Sequence, residues 1–287
     1  MLFPTDDLRI TWTKVVLPPV AVEEELPITE AASATVYKAR TEIIKIIHGE
    51  DPRLLVVVGP CSIHDTDAAR EYAELLKTAI AEHSRDLCII MRVYFEKPRT
   101  TESQVHRELV SGLSCPVGFK NGTSGNVQIA IEAILSAGQS HNFLGHTKHG
   151  QTAIFVTKGN RDCHIILRGG RNTTNYDAAA VEETCKQMEK AGIRPQVMID
   201  CSHANSHKDH TQQSGVARNV AAQIAAGDKR IIGVMLESNL VAGAQKLIPG
   251  QPLVYGQSIT DACIDWPETK AALAELAAAV RSARPQS

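Results

Sequence analysis

The sequence lacks the features that mark membrane, secreted and nucleic-acid-binding proteins. No apolar run approaches the roughly 20 residues that a membrane-spanning helix needs, and the first residues lack the basic start and apolar core of a signal peptide. The net charge is only −2, so neither a basic surface for nucleic acid nor an acidic tail is indicated. The seven cysteines form no C-x-x-C pair, which is typical of reduced thiols. We therefore expect a cytoplasmic globular protein with no nucleic-acid or membrane partner.

Hydrophobic strand patterns alternate with amphipathic helix patterns along the chain. The strands that should run parallel start near residues 54, 87, 116, 164, 196 and 231. This alternation predicts an α/β fold, and polar residues at so many strand ends favour a TIM-barrel fold of the (βα)8 type over an open sheet. A closed barrel needs eight strands, so the count predicts a barrel reduced to six βα units.

The remaining patterns predict two additions to this barrel. Residues 1–30 are polar and proline-containing, and they predict an extended N-terminal arm that precedes a barrel domain of residues 31–287. Two short strands within residues 143–156, joined around Lys148-His149-Gly150, predict an inserted β-hairpin rather than a further βα unit.

Four residues of metal-ligand type follow apolar runs or a turn: Cys61, His203, Glu237 and Asp261. The carboxyl ends of barrel strands meet on one face, so we expect these side chains to converge there. One thiolate, one imidazole and two carboxylates suit Mn²⁺, Fe²⁺, Co²⁺ or Zn²⁺. The alternative for each residue alone is structural: a buried thiol, a hydrogen-bonded core histidine, or a capping or ion-paired acid.

Cationic residues gather at the same predicted strand ends: Arg92, Lys97, Arg99, Lys120 and Arg168. Arg92 and Arg168 lie in otherwise apolar strands, where arginine is rare unless it is paired. The planar guanidinium group suits phosphate and carboxylate, so this set predicts a site for phosphorylated substrates. The alternative is that the cations form ion pairs with nearby acids, namely Glu96, Glu102 and Asp200.

Seven segments closely resemble the type I 3-deoxy-D-arabino-heptulosonate-7-phosphate (DAHP) synthase family. They are Gly59–Asp65, Met91–Thr101, Glu102–Glu108, Val117–Gly122, His164–Gly170, Asp200–Asn205 and Ser258–Cys263. The resemblance implies a metal-dependent TIM barrel that condenses phosphoenolpyruvate with erythrose 4-phosphate. That reaction is the first step of the shikimate pathway for aromatic amino acid biosynthesis. We also expect a homo-oligomer.

The resemblance also implies residue roles. Cys61, His203, Glu237 and Asp261 would hold the divalent metal, with Cys61 and His203 counted among the catalytic residues. Lys97 would be the third catalytic residue, as the proton donor to the new alkoxide. Phosphoenolpyruvate would be held by Arg92, Lys120 and Arg168. Erythrose 4-phosphate would be contacted by Lys97, Pro98, Arg99 and Thr100.

Family members are feedback-inhibited by an aromatic amino acid that binds away from the active site. The matching residues here are Asp6, Asp7, Ile10, Leu109, Leu113, Phe143 and Gly145. In the family, enzymes with a serine at the position of Gly145 are inhibited by phenylalanine, and enzymes with a glycine there are inhibited by tyrosine. Gly145 therefore favours tyrosine over phenylalanine as the effector.

The chain departs from the family pattern immediately after Arg99. Arg99-Thr100-Thr101 passes directly into Glu102-Ser103-Gln104, whereas the family has two further βα units between its two Arg-Thr-Thr sequences. This gap matches the two strands that the count lacks. We expect severely reduced catalysis or none. The alternatives are a non-catalytic remnant that binds metal or pairs with a full-length synthase, and a generic metal-dependent aldolase.

Overall fold

The computed structural model describes residue 9 and residues 11–94, 103–171 and 173–284. Its first half contains helices α1 Pro19–Glu25, α2 Glu30–His48, α3 Thr66–His83, α4 Gln104–Val110 and α5 Gln128–Ala137, and strands β1 Leu54–Gly59, β2 Leu87–Met91, β3 Val117–Lys120, β4 Asn142–His146 and β5 Thr152–Val156. Its second half contains strands β6 Cys163–Leu167, β7 Val197–Asp200, β8 Ile231–Glu237, β9 Val241–Ala244 and β10 Gln257–Ser258, and helices α6 Ala178–Lys190, α7 Gln213–Ala225 and α8 Trp266–Ser282.

Six of these strands form one sheet in the order β2-β1-β8-β7-β6-β3, and every neighbouring pair is parallel. The prediction of an α/β fold with six parallel strands is confirmed. β2 and β3 are the two outer strands, and within the described ranges they are not paired with each other. Among the described residues, the sheet is therefore open between the two strands that flank residues 92–116.

Both faces of the sheet are apolar, which explains the continuous hydrophobic runs in its strands. On one face Val56 and Val58 of β1 belong to the larger core, which lies under the surrounding helices. On the opposite face Leu55 packs with Ile46 and Ile47 at the end of α2 and with methionines from β7 and β8. The parallel register places the carboxyl ends of all six strands at one edge of the sheet, where the predicted site residues lie.

The predicted hairpin is confirmed as the antiparallel pair β4–β5, in which the rings of Phe143 and Phe155 stack with centroids 5.9 Å apart. The prediction of an extended arm is wrong over Pro19–Glu25, which is helical. Pro19 occupies the first helical turn, where its fixed φ favours a helix and its missing N–H costs nothing. Val20 also donates its N–H to Lys148 O at 2.9 Å, which places α1 against the hairpin turn.

One smaller feature was not predicted from the sequence. β9 and β10 form a two-stranded sheet beyond the carboxyl end of β8, and the loop that follows β10 carries Asp261. Within the described ranges, none of the helices combines the length and the hydropathy that crossing a lipid bilayer requires.

Candidate active site

Three of the four predicted metal ligands converge at the carboxyl ends of β1 and β8. Gly59 and Glu237 are paired in the register of these adjacent strands, and Cys61 follows Gly59 by two residues. One ligand atom each of Cys61, Glu237 and Asp261 lies within 4.8 Å of the other two. Cys61 Sγ is 3.6 Å from Asp261 Oδ2. Cys61 and Glu237 are buried, whereas Asp261 is exposed, so the group opens to solvent on one side.

His203 lies outside this three-residue group but lines a cavity that Glu237 and Asp261 also border. The cavity has a volume of about 220 Å³. His203 has a φ of 57°, which is uncommon for a residue with a side chain and marks a tight turn after β7. The turn thus points its imidazole into a space that two of the other predicted ligands share.

Asp200, the last residue of β7, fixes the orientation of His203. Its side chain is fully buried, with Oδ2 2.9 Å from His203 Nδ1 and 2.6 Å from Lys120 Nζ. Oδ1 accepts hydrogen bonds from the N–H and the hydroxyl of Ser202, at 3.0 and 2.6 Å. Burial raises the pKa of Asp200, but the positive charge of Lys120 and the hydrogen bonds from Lys120 and His203 outweigh it and hold that pKa well below its usual range.

An ionised Asp200 can only accept hydrogen bonds, so His203 must carry its proton on Nδ1. Nε2 of the neutral ring then keeps a lone pair, as a metal ligand requires. The sequence motif contains both residues, but the strand-end argument assigned no role to Asp200 beyond an ion pair.

The predicted cationic residues are partly engaged in ion pairs. Arg92 Nη2 lies 3.1 Å from Glu237 Oε1, and both side chains are only 2% exposed. Its Nε donates to Pro60 O at 3.3 Å, and its guanidinium lies over the Tyr94 ring, 5.0 Å from the centroid. The ion-pair alternative is therefore realised for Lys120 with Asp200, whereas Arg92 pairs with Glu237, which that alternative did not include. Arg92 Nη1 is buried and has no hydrogen-bond partner among the described residues, which leaves one donor for an anion.

Three asparagines hold the backbone around Arg168, and the sequence reasoning missed them. Asn121 Oδ1 accepts the Arg168 N–H at 2.8 Å, and Asn175 Oδ1 accepts the Gly169 N–H at 2.6 Å. Asn205 Nδ2 donates to the carbonyl oxygens at the ends of β6 and β7, at 3.1 and 2.9 Å. Asparagine readily hydrogen-bonds to backbone groups, and this tendency was the available signal.

Gln213, at the start of α7, is a further residue whose role was not predicted from the sequence. Its buried amide holds the backbone of Glu237 from both sides: Oε1 accepts the Glu237 N–H at 2.9 Å, and Nε2 donates to the Glu237 carbonyl at 3.1 Å. The side chain also borders the cavity. No sequence pattern indicated this role.

Several predicted residues lie outside the described residues. These are Lys97, Pro98, Arg99 and Thr100 of the substrate set, and Asp6, Asp7 and Ile10 of the effector set. Leu109 and Leu113 lie at the end of α4 and are exposed. Ser111 and Thr157 join their hydroxyl groups at 2.7 Å, which links this end of α4 to the hairpin that carries Phe143 and Gly145. A Cβ atom at Gly145 would lie 3.1 Å from the Phe155 ring.

Comparison with known proteins identifies the family. The sequence profile of the DAHP synthetase I family matches residues 25–102 and 99–274. This chain belongs to the DAHP synthetase I family. It is 47% identical to the Phe-sensitive phospho-2-dehydro-3-deoxyheptonate aldolase of Escherichia coli K12, with 99% of this chain and 100% of the relative covered. It is 45% identical to the corresponding aldolase of Haemophilus influenzae over 97% of this chain and 95% of the relative.

The fold agrees with a solved structure of the same family. The aldolase of Francisella tularensis SCHU S4 superposes with a TM-score of 0.93 at 42% identity, covering 96% of this chain and 100% of the other. The resemblance predicted from the sequence is confirmed, and so is the TIM-barrel type of the fold.

The alignments also locate a gap relative to these proteins. The two family matches overlap at residues 99–102, so these four residues align with both ends of an interruption. The alignment with the E. coli relative spans 350 positions, 63 more than the 287 residues of this chain. A strand–helix unit takes about 30 residues, so the excess fits the expectation that two units are missing.

Proposed function

We propose that this chain binds a divalent transition metal and phosphoenolpyruvate as DAHP synthases do, and condenses phosphoenolpyruvate with erythrose 4-phosphate at a severely reduced rate. The observation that carries the proposal is the convergence of Cys61, Glu237 and Asp261, with His203 on the same cavity. The relatives are named as aldolases of this reaction.

The residues present fit a metal of this class. Cys61, His203, Glu237 and Asp261 offer one sulfur, one nitrogen and two carboxylate groups, which suits Mn²⁺, Fe²⁺, Co²⁺ or Zn²⁺. The Asp200 carboxylate behind His203 is the arrangement that orients histidine ligands in metal sites. When bound, such a metal would supply Lewis-acid polarisation of the aldehyde carbonyl.

The chain's own residues would hold and protonate the substrates. Arg92 Nη1 is buried without a hydrogen-bond partner among the described residues, and Lys120 and Arg168 lie at neighbouring strand ends. These three cations would bind the phosphate and carboxylate of phosphoenolpyruvate. The methylene carbon C3 of phosphoenolpyruvate then attacks the aldehyde carbon, and Lys97 donates a proton to the new alkoxide. Water adds to the neighbouring carbon C2, which carries the resulting positive charge, and loses a proton. The C2–oxygen bond to phosphate then breaks as C2 becomes a ketone, which releases phosphate and the product.

The predicted loss of rate follows from the missing units. Orienting two substrates for reaction can contribute roughly 7–11 kcal/mol. Erythrose 4-phosphate would be oriented by Lys97, Pro98, Arg99 and Thr100, which lie at the interruption in the family match. A catalytically inactive remnant that binds metal is the second candidate. It is favoured by the edges of β2 and β3, which have no strand beside them in the part of the chain that the structure describes.

The test measures three properties of the purified protein: metal content, phosphoenolpyruvate binding by calorimetry, and phosphate release in the presence of both substrates. We expect about one metal per chain, measurable phosphoenolpyruvate binding, and phosphate release far below that of the E. coli relative measured alongside. If the protein binds metal but releases no phosphate, the result supports the catalytically inactive remnant. Family-like turnover would contradict the predicted loss, and absence of metal after reconstitution would contradict the site itself.

We also propose the class of feedback effector, which the names of the relatives indicate. One relative is named Phe-sensitive, one of Schizosaccharomyces pombe is named tyrosine-inhibited and one of Salmonella typhi is named Trp-sensitive. An aromatic amino acid is therefore the proposed class of effector, and Gly145 supports tyrosine over phenylalanine. The division into an arm of residues 1–30 and a barrel domain of residues 31–287, the homo-oligomer and the cytoplasmic location stay predictions.

A further inference from the structure

We propose that the open side of the sheet is a docking surface for a separate polypeptide of two strand–helix units. We call this surface the seam, and define it as the outer edges of β2 and β3 together with the adjoining helices α3 and α4. The proposal concerns complex formation, so it does not depend on whether the proposed catalysis occurs.

The outer edge of β2 presents unpaired backbone groups. Arg92, directly after β2, donates its N–H to Val58 O of β1 at 3.0 Å. The N–H and C=O groups of successive residues in a strand point to opposite sides, so Ile89 and Met91 direct theirs away from β1. No described strand lies on that side. An edge of this kind is a template for pairing with another chain.

The outer edge of β3 has the same property. Val117 donates its N–H to Asp162 O, beside β6, at 3.0 Å. The N–H and C=O groups of Gly118 and Lys120 therefore point away from β6. On that side of β3 the sheet has no further strand among the described residues. The seam thus offers two parallel edges, and two inserted strands would give each edge a partner.

On the seam helix α4, the buried Nδ1 atom of His106 lacks a hydrogen-bond partner among the described residues. A buried polar group without a partner costs roughly 1–3 kcal/mol, so a segment that supplied a partner there would gain affinity.

Apolar side chains on the adjoining helices are exposed. Ile80 on α3 is 38% exposed, and Val105 and Leu109 on α4 are 62% and 41% exposed. Val105 and Leu109 are four residues apart and share one face of their helix. Each helix of a βα barrel packs beside the next in an outer ring, so two inserted helices would cover these positions.

The family alignment identifies the occupant. The interruption of the family match at residues 99–102 lies between β2 and β3 in the chain, and the E. coli relative has 63 more aligned positions than this chain has residues. That length corresponds to two units of about 30 residues each, and the seam lacks two strands of an eight-stranded barrel. A second copy of this chain is the competing occupant, because its own β2 or β3 edge could pair there.

The experiment co-expresses this chain with the stretch of the E. coli relative that aligns with no residue here. We expect a one-to-one complex on size-exclusion chromatography. Hydrogen exchange of the Ile89, Met91 and Gly118 amides should slow at least tenfold in the complex, while the amide of Val117 changes little. A segment of the same composition in scrambled order should give neither effect.

A pair of charge substitutions tests whether α4 contributes. Val105→Glu should weaken the complex at least tenfold. Leu247→Glu, at a loop residue that is 71% exposed, should leave it unchanged. The absence of a complex with a chain that melts cooperatively would overturn the proposal. The proposal would also be overturned if the Ile89, Met91 and Gly118 amides became more protected as the concentration of this chain alone increased. The seam would then hold a second copy of the chain. If the complex forms but releases no phosphate, the docking proposal stands and the result counts only against the proposed catalysis.

Discussion

Replacing Asp200 with asparagine tests the link between the buried charge network and the proposed metal site. Asparagine has almost the same volume, so the substitution removes the negative charge without opening a cavity. His203 Nδ1 would lose an ionised acceptor at 2.9 Å, and Lys120 Nζ would lose its partner at 2.6 Å. The tautomer of His203 would no longer be fixed, because the amide can donate as well as accept.

The substitution is expected to lower metal affinity without unfolding the protein. Removing the group that orients a histidine ligand costs about 10–100-fold in metal affinity, which corresponds to roughly 1.4–2.8 kcal/mol at a tenfold change per 1.4 kcal/mol. Lys120 is 28% exposed and can turn towards water, so we expect the free energy of unfolding to fall by only about 1–3 kcal/mol. The variant should therefore stay folded while its metal affinity falls.

The assay is a Co²⁺ titration against a competing chelator, read by visible absorption, with a thermal melt of each apo-protein. Asp162→Asn is the matched control, because Asp162 Oδ1 also lies 2.8 Å from a histidine nitrogen, that of His48, but borders no part of the cavity. We expect the control to bind Co²⁺ like the unchanged protein. Equal affinity in both variants would refute the argument that Asp200 prepares His203 for a metal.

Three further predictions test the site, the interior and the effector. Cys61→Ala should abolish or strongly reduce metal content, whereas Cys115→Ala should not, and elemental analysis of both variants compares them. Burial lowers the pKa of His164 to about 4, so the unfolded state binds the proton first as pH falls below about 6.5. Between pH 8 and pH 5 the free energy of unfolding, measured with urea, should therefore fall by about 2 kcal/mol. That loss should disappear in His164→Leu, and an equal loss in both proteins would contradict the assignment. Calorimetry should show tighter binding of tyrosine than of phenylalanine if Gly145 selects the effector, and the opposite order would exclude that choice.

The strands and their ends could be predicted because burial dictates them. A parallel strand covered on both faces must be apolar along its length, so the polar residue that follows it stands out. Cys61 and Glu237 were found by this signal, and they lie together because β1 and β8 are neighbours in the sheet. The six-strand count was also correct, since each run has the length and flanking residues of a strand.

The residues that orient the ligands could not be found in the same way. Gln213 opens a helix 24 residues before Glu237, and only the three-dimensional packing brings its amide onto the Glu237 backbone. Asp200 was visible at a strand end, but its role depends on Lys120 and His203 converging on one carboxylate. Helix α1 was missed because its seven residues offer too few turns for a periodic pattern, and its contact with the hairpin is non-local.

The strand order explains why the missing units should affect the two halves of the site differently. The proposed metal ligands and Asp200 come from β1, β8, β7 and the loop after β10, and the first three are interior strands of the sheet. Arg92 and Lys120, by contrast, follow or end the two outer strands that border the seam. Interior strands keep both hydrogen-bonded neighbours, so the geometry of their ends is fixed by the remaining fold. Each outer strand has one hydrogen-bonded neighbour among the described strands. Metal binding should therefore persist close to family strength, while the binding and orientation of the phosphorylated substrates carry most of the loss.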